Sequence, residues 1–373
     1  MASANYITAL REPTRKPIYK IEWMDKNEVV IDEIITDLID GEMTASLENG
    51  VRRTCNLTLE NSDGRYIPDP DGLIYVSKKF KLYSGLTLSD GTEEFVPQGI
   101  FNLGNPVVSS NFSEKIVKIE AYDNFSLLNG TLGGTLAEDY VYDSGSLLTE
   151  VVTSICSDAG IIKSPIIYPN SEVLPINLVE DISGTLGDML LVLANMFAWV
   201  VFFDVDGRLR FEPPVDESLA GSTWDFLTTE VTYIGSDHNY DNLKIYNNVI
   251  VLGESFYGNS VRGQAQDTGL FSDTAIAKIG LKTLVIDDSN ISRDEDAQAK
   301  AEHELKLAIQ RYEYGDIRSI PIDVISEGDI ITIEDESNGF NRDRYLVKQL
   351  NLPISFNGTQ NIRAWKVRDV SFL

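Results

Sequence analysis

Two separate stretches of the chain, residues 55–86 and 320–367, carry the same pattern: short runs of strand-forming residues divided by polar turns. In the first stretch, apolar and polar side chains alternate along residues 53–59, so one face of this strand is buried and the other faces solvent. After a turn at 68–72 the alternation returns, at Val76, Phe80 and Leu82.

The second stretch repeats this arrangement near the other end of the chain. Residues 327–329 lead into an apolar strand at 330–333, and a polar loop at 335–344 precedes a returning strand at 345–350. A hairpin that contains no catalytic residue is typical of a scaffold. The chain is therefore predicted to hold two small antiparallel β-domains that flank a different, more helical middle.

The middle region shows helical spacing of its apolar residues. Residues 144–160 carry leucine, valine and isoleucine three and four positions apart, which predicts an amphipathic helix. Thr185 and Asp188 predict the N-cap of a second helix that is apolar almost all round and so packed between other elements. Residues 199–203 and 208–211 then predict a hairpin, and the whole unit reads as a compact α/β insert.

Beyond this insert, residues 232–253 contain predicted strands, and a later helix is predicted to start at Ser292. Glu295, three positions on, would complete a capping box there. One stripe of this helix is apolar or small, and it comprises Ala297, Ala301, Leu305, Ala308 and Tyr312.

The length and charge of the chain limit its function. A chain of 373 residues suits two to four domains. Its 58 acidic and 31 basic residues give a net charge of -27, which repels a phosphate backbone and indicates no specific nucleic-acid binding. Acidity of this kind also simply keeps proteins soluble.

No signal peptide and no apolar run of membrane-spanning length is visible, so we expect a soluble protein made in a cytoplasm, with no membrane association.

The N-terminal segment departs from the acidic balance. It carries four basic residues among two prolines and no hydrophobic period, which predicts an extended basic arm over residues 1–17. Such a segment has too few apolar residues to offset its ordering entropy, so we expect it to order only against a neighbouring chain. The basic residues near the N-terminus are Arg11, Arg15 and Lys16 within the arm and Lys20 just beyond it.

Motifs that carry chemistry are weak. The sequence at 204–207 begins like a calcium loop but runs directly into an apolar strand, so a hairpin turn is predicted. His238 and His303 have no ligand at metal spacing and are interpreted as surface histidines, and Cys55 and Cys156 as buried thiols. The glycine-rich segment at 130–134 lacks a following Lys-Ser or Lys-Thr and is predicted to be a loop.

These observations lead to no catalytic, cofactor-binding or metal-binding residue. No Gly-x-Ser-x-Gly elbow is present. Whether two carboxylates form a pair for glycan hydrolysis stays open, because such a pair is defined by the distance between the two groups in space. The sequence therefore indicates a protein that is not an enzyme and requires no cofactor.

The order of these elements resembles the phage baseplate hub proteins, the trimeric hubs at the tail tip, which also form the N-terminal portion of tail-associated proteins. The resemblance covers residues 18–372 and rests on strand and turn patterns at residues 52–61, 80–86, 204–211, 248–253 and 320–331.

The resemblance implies an α+β, β-rich fold with two tail-tube-like antiparallel β-barrel domains, a helical α/β insert and a further peripheral segment. The implied division is an arm at 1–17, a first tube-like domain at 18–125, the insert at 126–213 and a second tube-like domain at 214–373, with the peripheral segment at about 248–313.

The function implied by the resemblance is structural. Three copies would present six tube-like modules to a sixfold tail tube or distal tail protein, hold a spike, fibre or tail lysin below, and surround the channel for DNA and the tape-measure protein. A channel-facing surface of net negative charge would let DNA slide. Lytic activity would reside on separate proteins, since no fibre, peptidase or lysozyme-like extension follows Val367.

Two alternative functions stay open: a secreted adhesive or carbohydrate-binding β-protein, and an acidic glycan hydrolase.

Overall fold

A computed structural model describes residues 2–47, 50–217, 219–254, 260–270, 272–288 and 291–368. The fold is β-rich α+β with mainly antiparallel sheets, which confirms the predicted class. A sheet of 14 strands joins both ends of the chain, and three smaller sheets lie in the middle regions.

The N-terminal half consists of one short helix and eight strands. The helix α1 spans Ala4–Leu10. The strands are β1 (Pro17–Met24), β2 (Val30–Ile34), β3 (Leu38–Ser46), β4 (Arg53–Glu60), β5 (Lys79–Thr87), β6 (Glu93–Leu103), β7 (Val107–Ser110) and β8 (Lys115–Tyr122). A 3₁₀ turn at Asn124–Leu127 leads out of β8 into the insert.

The insert packs two helices against short strands around its own hydrophobic core. Its elements are β9 (Tyr140–Tyr142), α2 (Leu148–Asp158), β10 (Ile166–Ile167), β11 (Leu178–Glu180), α3 (Leu186–Phe197), β12 (Val200–Phe203) and β13 (Leu209–Glu212). The predicted capping box is confirmed, since the Thr185 hydroxyl accepts the Asp188 N–H and the Asp188 carboxylate accepts the Thr185 N–H. The predicted hairpin is also confirmed, as β12 pairs antiparallel with β13.

The C-terminal half completes the large sheet. Its strands are β14 (Ser222–Leu227), β15 (Tyr233–Tyr240), β19 (Glu313–Ser319), β20 (Ile330–Asp335), β21 (Phe340–Pro353) and β22 (Gln360–Lys366), with a 3₁₀ turn at Glu336–Asn338. A peripheral unit interrupts this half and comprises β16 (Asn248–Glu254), β17 (Ser260–Gln266), α4 (Ile276–Ile279), β18 (Thr283–Asp287) and α5 (Asp294–Arg311).

The two halves are continuous through one strand pairing. Eleven of the 14 strands follow the order β15-β19-β22-β21-β3-β4-β8-β6-β5-β1-β2, so β21 and β3 form the joint. The other three lie off this path: β20 pairs with β21 and β14, and β7 pairs with β8. These two strands pair antiparallel from Gln349 opposite Ser46 to Pro353 opposite Glu42. A single hydrophobic cluster runs beneath both halves, and its large side chains include Trp23, Phe80, Phe101, Trp224, Phe340 and Tyr345. The halves therefore share a core as well as a sheet.

Several local predictions are corrected. Val76 is 77% exposed and lies before β5, which begins at Lys79, so the alternation at 76–82 does not belong to one strand. Helix α5 has Arg293 at its N-cap and no side-chain cap, so the capping box at Ser292 is wrong. Acidic residues at positions 294–296 interact favourably with the positive end of the helix dipole instead.

The N-terminal segment is not an extended arm. Tyr6 and Leu10 lie one turn apart on α1, and both are fully buried in the core that the two halves share. The Tyr6 hydroxyl donates to Asp323 Oδ2 at 2.6 Å, and Arg15 Nη1 donates to the Pro321 carbonyl at 2.8 Å. The expectation from charges and prolines was wrong because these two apolar anchors, at helical spacing, supply the burial that orders the segment.

We predict that Tyr6→Ala lowers the free energy of unfolding by about 3 kcal/mol, because it removes a buried aromatic ring and the hydrogen bond that the Tyr6 hydroxyl donates to Asp323. Chemical denaturation of the isolated subunit measures this change. Asn5→Ala, at an exposed position of the same helix, should shift stability by less than about 0.5 kcal/mol. Equal effects of the two substitutions would show that α1 does not anchor the core.

Candidate functional site

Within the described ranges, no group of three or more histidine, cysteine, aspartate or glutamate residues is placed to hold a metal ion. No helix in that part of the chain is long and apolar enough to cross a bilayer.

The two glycine-containing turns have the conformations that the sequence predicts. Asp204 Oδ1 accepts the backbone N–H groups of Asp206 and Arg208, each at 3.0 Å, so this carboxylate stabilises the hairpin turn. In the 130–134 loop, Gly134 has φ 87° and a Cβ there would lie 2.2 Å from the Leu128 carbonyl oxygen. Both motifs are therefore explained by local backbone geometry.

His238 is not a surface histidine, which corrects the sequence interpretation. Its side chain is 6% exposed, and its ring stacks on Phe340 with 4.2 Å between the ring centroids. Nε2 lies 2.9 Å from Glu313 Oε1, and Nδ1 lies 3.0 Å from the Asn338 carbonyl oxygen. These partners are 75 and 100 positions away in the chain, so residue spacing did not reveal them.

The remaining predicted residues lie in separate places. His303 on α5 is partly buried, and burial lowers the pKa of its imidazole. Cys55 and Cys156 are free, buried thiols, as predicted. Burial raises the pKa of both, that of Cys156 to about 12, so neither thiol forms a reactive thiolate near neutral pH.

Arg53 lies in the N-terminal half and contacts both the C-terminal half and the insert. It projects from β4, and its Nη2 lies 2.6 and 2.8 Å from the two carboxylate oxygens of Glu327 in the C-terminal half. Its Nη1 donates to the carbonyl of Phe203 in the insert at 3.1 Å. The Arg53 and Glu327 side chains are 6% and 1% exposed, so this ion pair is desolvated.

Asp123 holds the backbone beneath this ion pair. Its Oδ2 accepts the N–H groups of Arg52 and Arg53 at 2.8 and 3.0 Å, and its Oδ1 accepts that of Phe125 at 3.0 Å. Burial raises the pKa of this carboxyl to about 6, although the three N–H donors act in the opposite direction. Asp123 thus fixes β4 against the turn at which the chain enters the insert.

A cavity of about 800 Å³ lies beside this junction and is bounded by the insert, helix α5 and the C-terminal half. Its volume falls within the range of ligand pockets. The guanidinium of Arg52 lies 3.7 Å from the centroid of the Phe202 ring, and Lys348 Nζ lies 4.8 Å from that of Trp365. Acidic side chains line the cavity as well, including Glu212. The lining therefore carries both signs of charge.

The main path of the large sheet ends in two different edge strands, and β14 and β7 lie on branches off this path. Among the described residues, β2 pairs only with β1, and β15 pairs only with β19. Val30 and Ile31 on β2 are 51% and 43% exposed, and Ile234 on β15 is 55% exposed. Unpaired backbone groups beside exposed aliphatic side chains form a surface on which another strand can pair.

Comparison with known proteins identifies the fold. No protein-family model matches the chain, and no curated protein does. Among solved structures, a tail protein from Neisseria meningitidis MC58 has a TM-score of 0.67 at 13% identity and covers 94% of this chain and 96% of its own. The 43 kDa tail protein of prophage MuSo2 from Shewanella oneidensis has a TM-score of 0.63 at 13% identity and covers 94% and 98%.

A third match is the prophage tail protein gp18 from Listeria monocytogenes, with a TM-score of 0.59 at 14% identity, covering 93% of this chain and 94% of its own. The chain thus has the fold of phage tail proteins along nearly its whole length. The predicted resemblance is confirmed at the level of fold.

The buried ion pair gives a quantitative prediction. Arg53→Met should lower the free energy of unfolding by about 3 to 5 kcal/mol, because it leaves the Glu327 carboxylate buried without its cation. The double variant Arg53→Met/Glu327→Leu should lose less than the sum of the single losses, which a double-mutant cycle measures.

Arg363→Met is the matched control, since Arg363 pairs with Asp316 at 2.7 Å but is 50% exposed. Its loss should stay below about 1 kcal/mol. If the two arginine variants lost equal stability, the buried junction would not be the stronger constraint.

Proposed function

We propose that this chain is a structural virion protein, the baseplate hub at the tail tip of a phage. In this role it adapts the sixfold tail tube to a threefold spike or fibre and surrounds the DNA exit channel. The observation that carries the proposal is the fold match over 94% of this chain to a tail protein that is itself covered over 96%. The match includes both β-halves, the insert and the peripheral unit, so it is more than a shared local motif.

The two-part architecture supports a homotrimer as the proposed assembly. Each subunit supplies two β-halves in one sheet, so three subunits supply six. The main path of that sheet ends in two different strands, β2 and β15, and contact between unlike surfaces is the kind that closes a ring. In the proposed trimer, β2 of one subunit lies against β15 of the next.

The proposed partners follow from this position in the particle. They are the tail tube or distal tail protein above, a spike, fibre or tail lysin below, and the tape-measure protein in the channel. The chain is made in the cytoplasm of the host bacterium and resides in the virion tail. It binds no specific nucleic-acid sequence, and its net charge of -27 suits a channel surface that DNA slides past. The protein performs no catalytic turnover on a substrate.

Particle imaging tests the hub assignment directly. We predict that cryo-electron microscopy of assembled tails shows three copies of this chain in a ring at the tail tip, with a channel surface of net negative charge. Six copies in a flat ring would contradict the hub role, and a channel lined by lysine and arginine would contradict the proposed charge. Cleavage of glycan by the purified chain would favour the hydrolase alternative instead.

The edge contact can be tested separately in solution. Ile234→Lys on β15 should raise the dissociation constant of the trimer at least about tenfold, because a charged edge residue opposes strand pairing. Native mass spectrometry across a concentration series measures the trimer fraction.

Val285→Lys on β18 is the control, since Val285 is also 55% exposed but lies outside the large sheet. Both variants should keep the unfolding free energy of the subunit within about 0.5 kcal/mol. A trimer that tolerates Ile234→Lys as well as Val285→Lys would exclude β15 from the interface.

A further inference from the structure

Three polar side chains with complementary chemistry are buried together where the N-terminal half meets the insert. Lys79 begins β5 and is 5% exposed, and Asn124 begins the 3₁₀ turn after β8 and is fully buried. Glu28 lies in the turn between β1 and β2, and its side chain is 6% exposed. An amine, a carboxamide and a carboxylate thus meet out of contact with bulk water.

The distances place a nucleophile beside an electrophile. Lys79 Nζ lies 3.4 Å from Asn124 Oδ1. The amide carbon is one C=O bond of about 1.2 Å from that oxygen, so it lies no more than about 4.6 Å from the amine nitrogen. Lys79 Nζ also lies 3.2 Å from Glu28 Oε1, within reach for proton transfer.

The carboxamide of Asn124 is oriented at both of its ends. Its Oδ1 accepts a hydrogen bond from Asn102 Nδ2 at 2.9 Å, and its Nδ2 donates to the Gly207 carbonyl at 3.1 Å. The donor on Oδ1 would stabilise negative charge that develops on this oxygen if the amide carbon were attacked. Asn124 Nδ2, the nitrogen that would leave, thus faces the Gly207 carbonyl, whereas Oδ1 faces the Asn102 donor.

Glu28 is held in place at a backbone cost. Its φ is 58°, in the left-handed region that a residue other than glycine seldom adopts. Asp25 stabilises the turn, since its Oδ1 accepts the N–H groups of Asn27 and Val29 at 2.9 Å each. Lys163 of the insert lies 2.6 Å from Glu28 Oε2. Burial lowers the pKa of Lys79, which favours the neutral amine that can attack.

We propose that Lys79 and Asn124 form an intramolecular isopeptide bond, with Glu28 as the group that moves the proton. The juxtaposition of a buried amine, an oriented carboxamide and a carboxylate in contact with the amine carries this assignment. The reaction occurs once per chain and is independent of the hub role.

The step balances without an outside reagent. Glu28 takes a proton from the Lys79 ammonium group, and the free amine attacks Cγ of Asn124 to form the Nζ–Cγ bond. The Glu28 carboxyl returns this proton to Nδ2, the Cγ–Nδ2 bond breaks and ammonia leaves. Nζ of the new amide gives up a second proton to the Glu28 carboxylate, which passes it to ammonia, so the products are the isopeptide bond and one ammonium ion. Nothing is oxidised or reduced.

The bond would join β5 covalently to the turn that opens the insert. A cross-link between positions 79 and 124 closes a loop of the chain and restricts the unfolded state. It would therefore keep the N-terminal half and the start of the insert together under load.

Intact-mass spectrometry of the purified, denatured chain tests the proposal. The expected mass is lower than that of the sequence by about 17 Da, the mass of one ammonia, and a proteolytic digest should contain a branched peptide linking Lys79 and Asn124. A folded chain that shows the unmodified mass after prolonged incubation at neutral pH would overturn the proposal, and the three side chains would then form an ordinary buried ion pair.

Variants identify the role of each group. Lys79→Arg keeps a cation beside Glu28 but removes the amine, so the mass deficit should disappear, and Asn124→Ala should abolish it as well. Glu28→Gln should leave the chain folded by circular dichroism yet slow the mass loss at least about tenfold.

Lys81→Arg is the matched control. Lys81 lies on the same strand and pairs with a carboxylate, Asp206, at 2.8 Å. The Lys81→Arg variant should therefore retain the full mass deficit. A deficit that persists in Lys79→Arg, or that is lost equally in Lys81→Arg, would exclude Lys79 as the nucleophile.

Discussion

The buried ion pair between Arg53 and Glu327 is the interaction on which the arrangement of the parts depends. Two charges removed from water cost more than their attraction returns unless the geometry is good and the other donors are satisfied. Here Nη2 of Arg53 contacts both carboxylate oxygens of Glu327, and Nη1 donates a hydrogen bond to the Phe203 carbonyl. These partners belong to three different parts of the chain. A shift of one part relative to the others would therefore separate the ion pair and leave an unpaired charge buried in the interior.

The pairing of β3 with β21 acts in the same direction. Five residue pairs join the halves, and the shared core lies beneath them. Main-chain hydrogen bonds fix the register, because a slip of one residue would turn every buried side chain of the strand to the wrong face. The two halves are therefore held together both by main-chain hydrogen bonds and by a shared apolar core.

Polar groups at the border of the N-terminal half and the insert are unusually well enclosed. Asp123 accepts three backbone N–H groups, and Lys79, Asn124 and Glu28 lie close by on neighbouring elements. In a medium of low dielectric constant such groups interact strongly and tolerate little displacement. The insert is thus positioned by directional polar contacts, whereas the two β-halves are joined mainly by a sheet and an apolar core.

Local patterns in the sequence determined the elements that depend on near neighbours. The alternation at 53–59, the capping box of Thr185 and Asp188 and the hairpin around 204–207 all appear as predicted, because their stabilising contacts lie within a few residues. The resemblance in element order correctly indicated the fold. The prediction that fails most clearly is the extended arm. The charges and prolines near the N-terminus favoured an extended segment, whereas the helical spacing of Tyr6 and Leu10 orders it against the core.

Only the tertiary structure decided which distant residues meet. Tyr6 contacts Asp323 across 317 positions, Arg53 contacts Glu327 across 274, and His238 is buried by partners that follow it by 75 and 100 positions. The sequence shows that each of these side chains is polar, but the partner that makes its burial favourable is supplied by strand order. Strand order in turn depends on the pairing of β3 with β21, which no periodicity within either strand encodes.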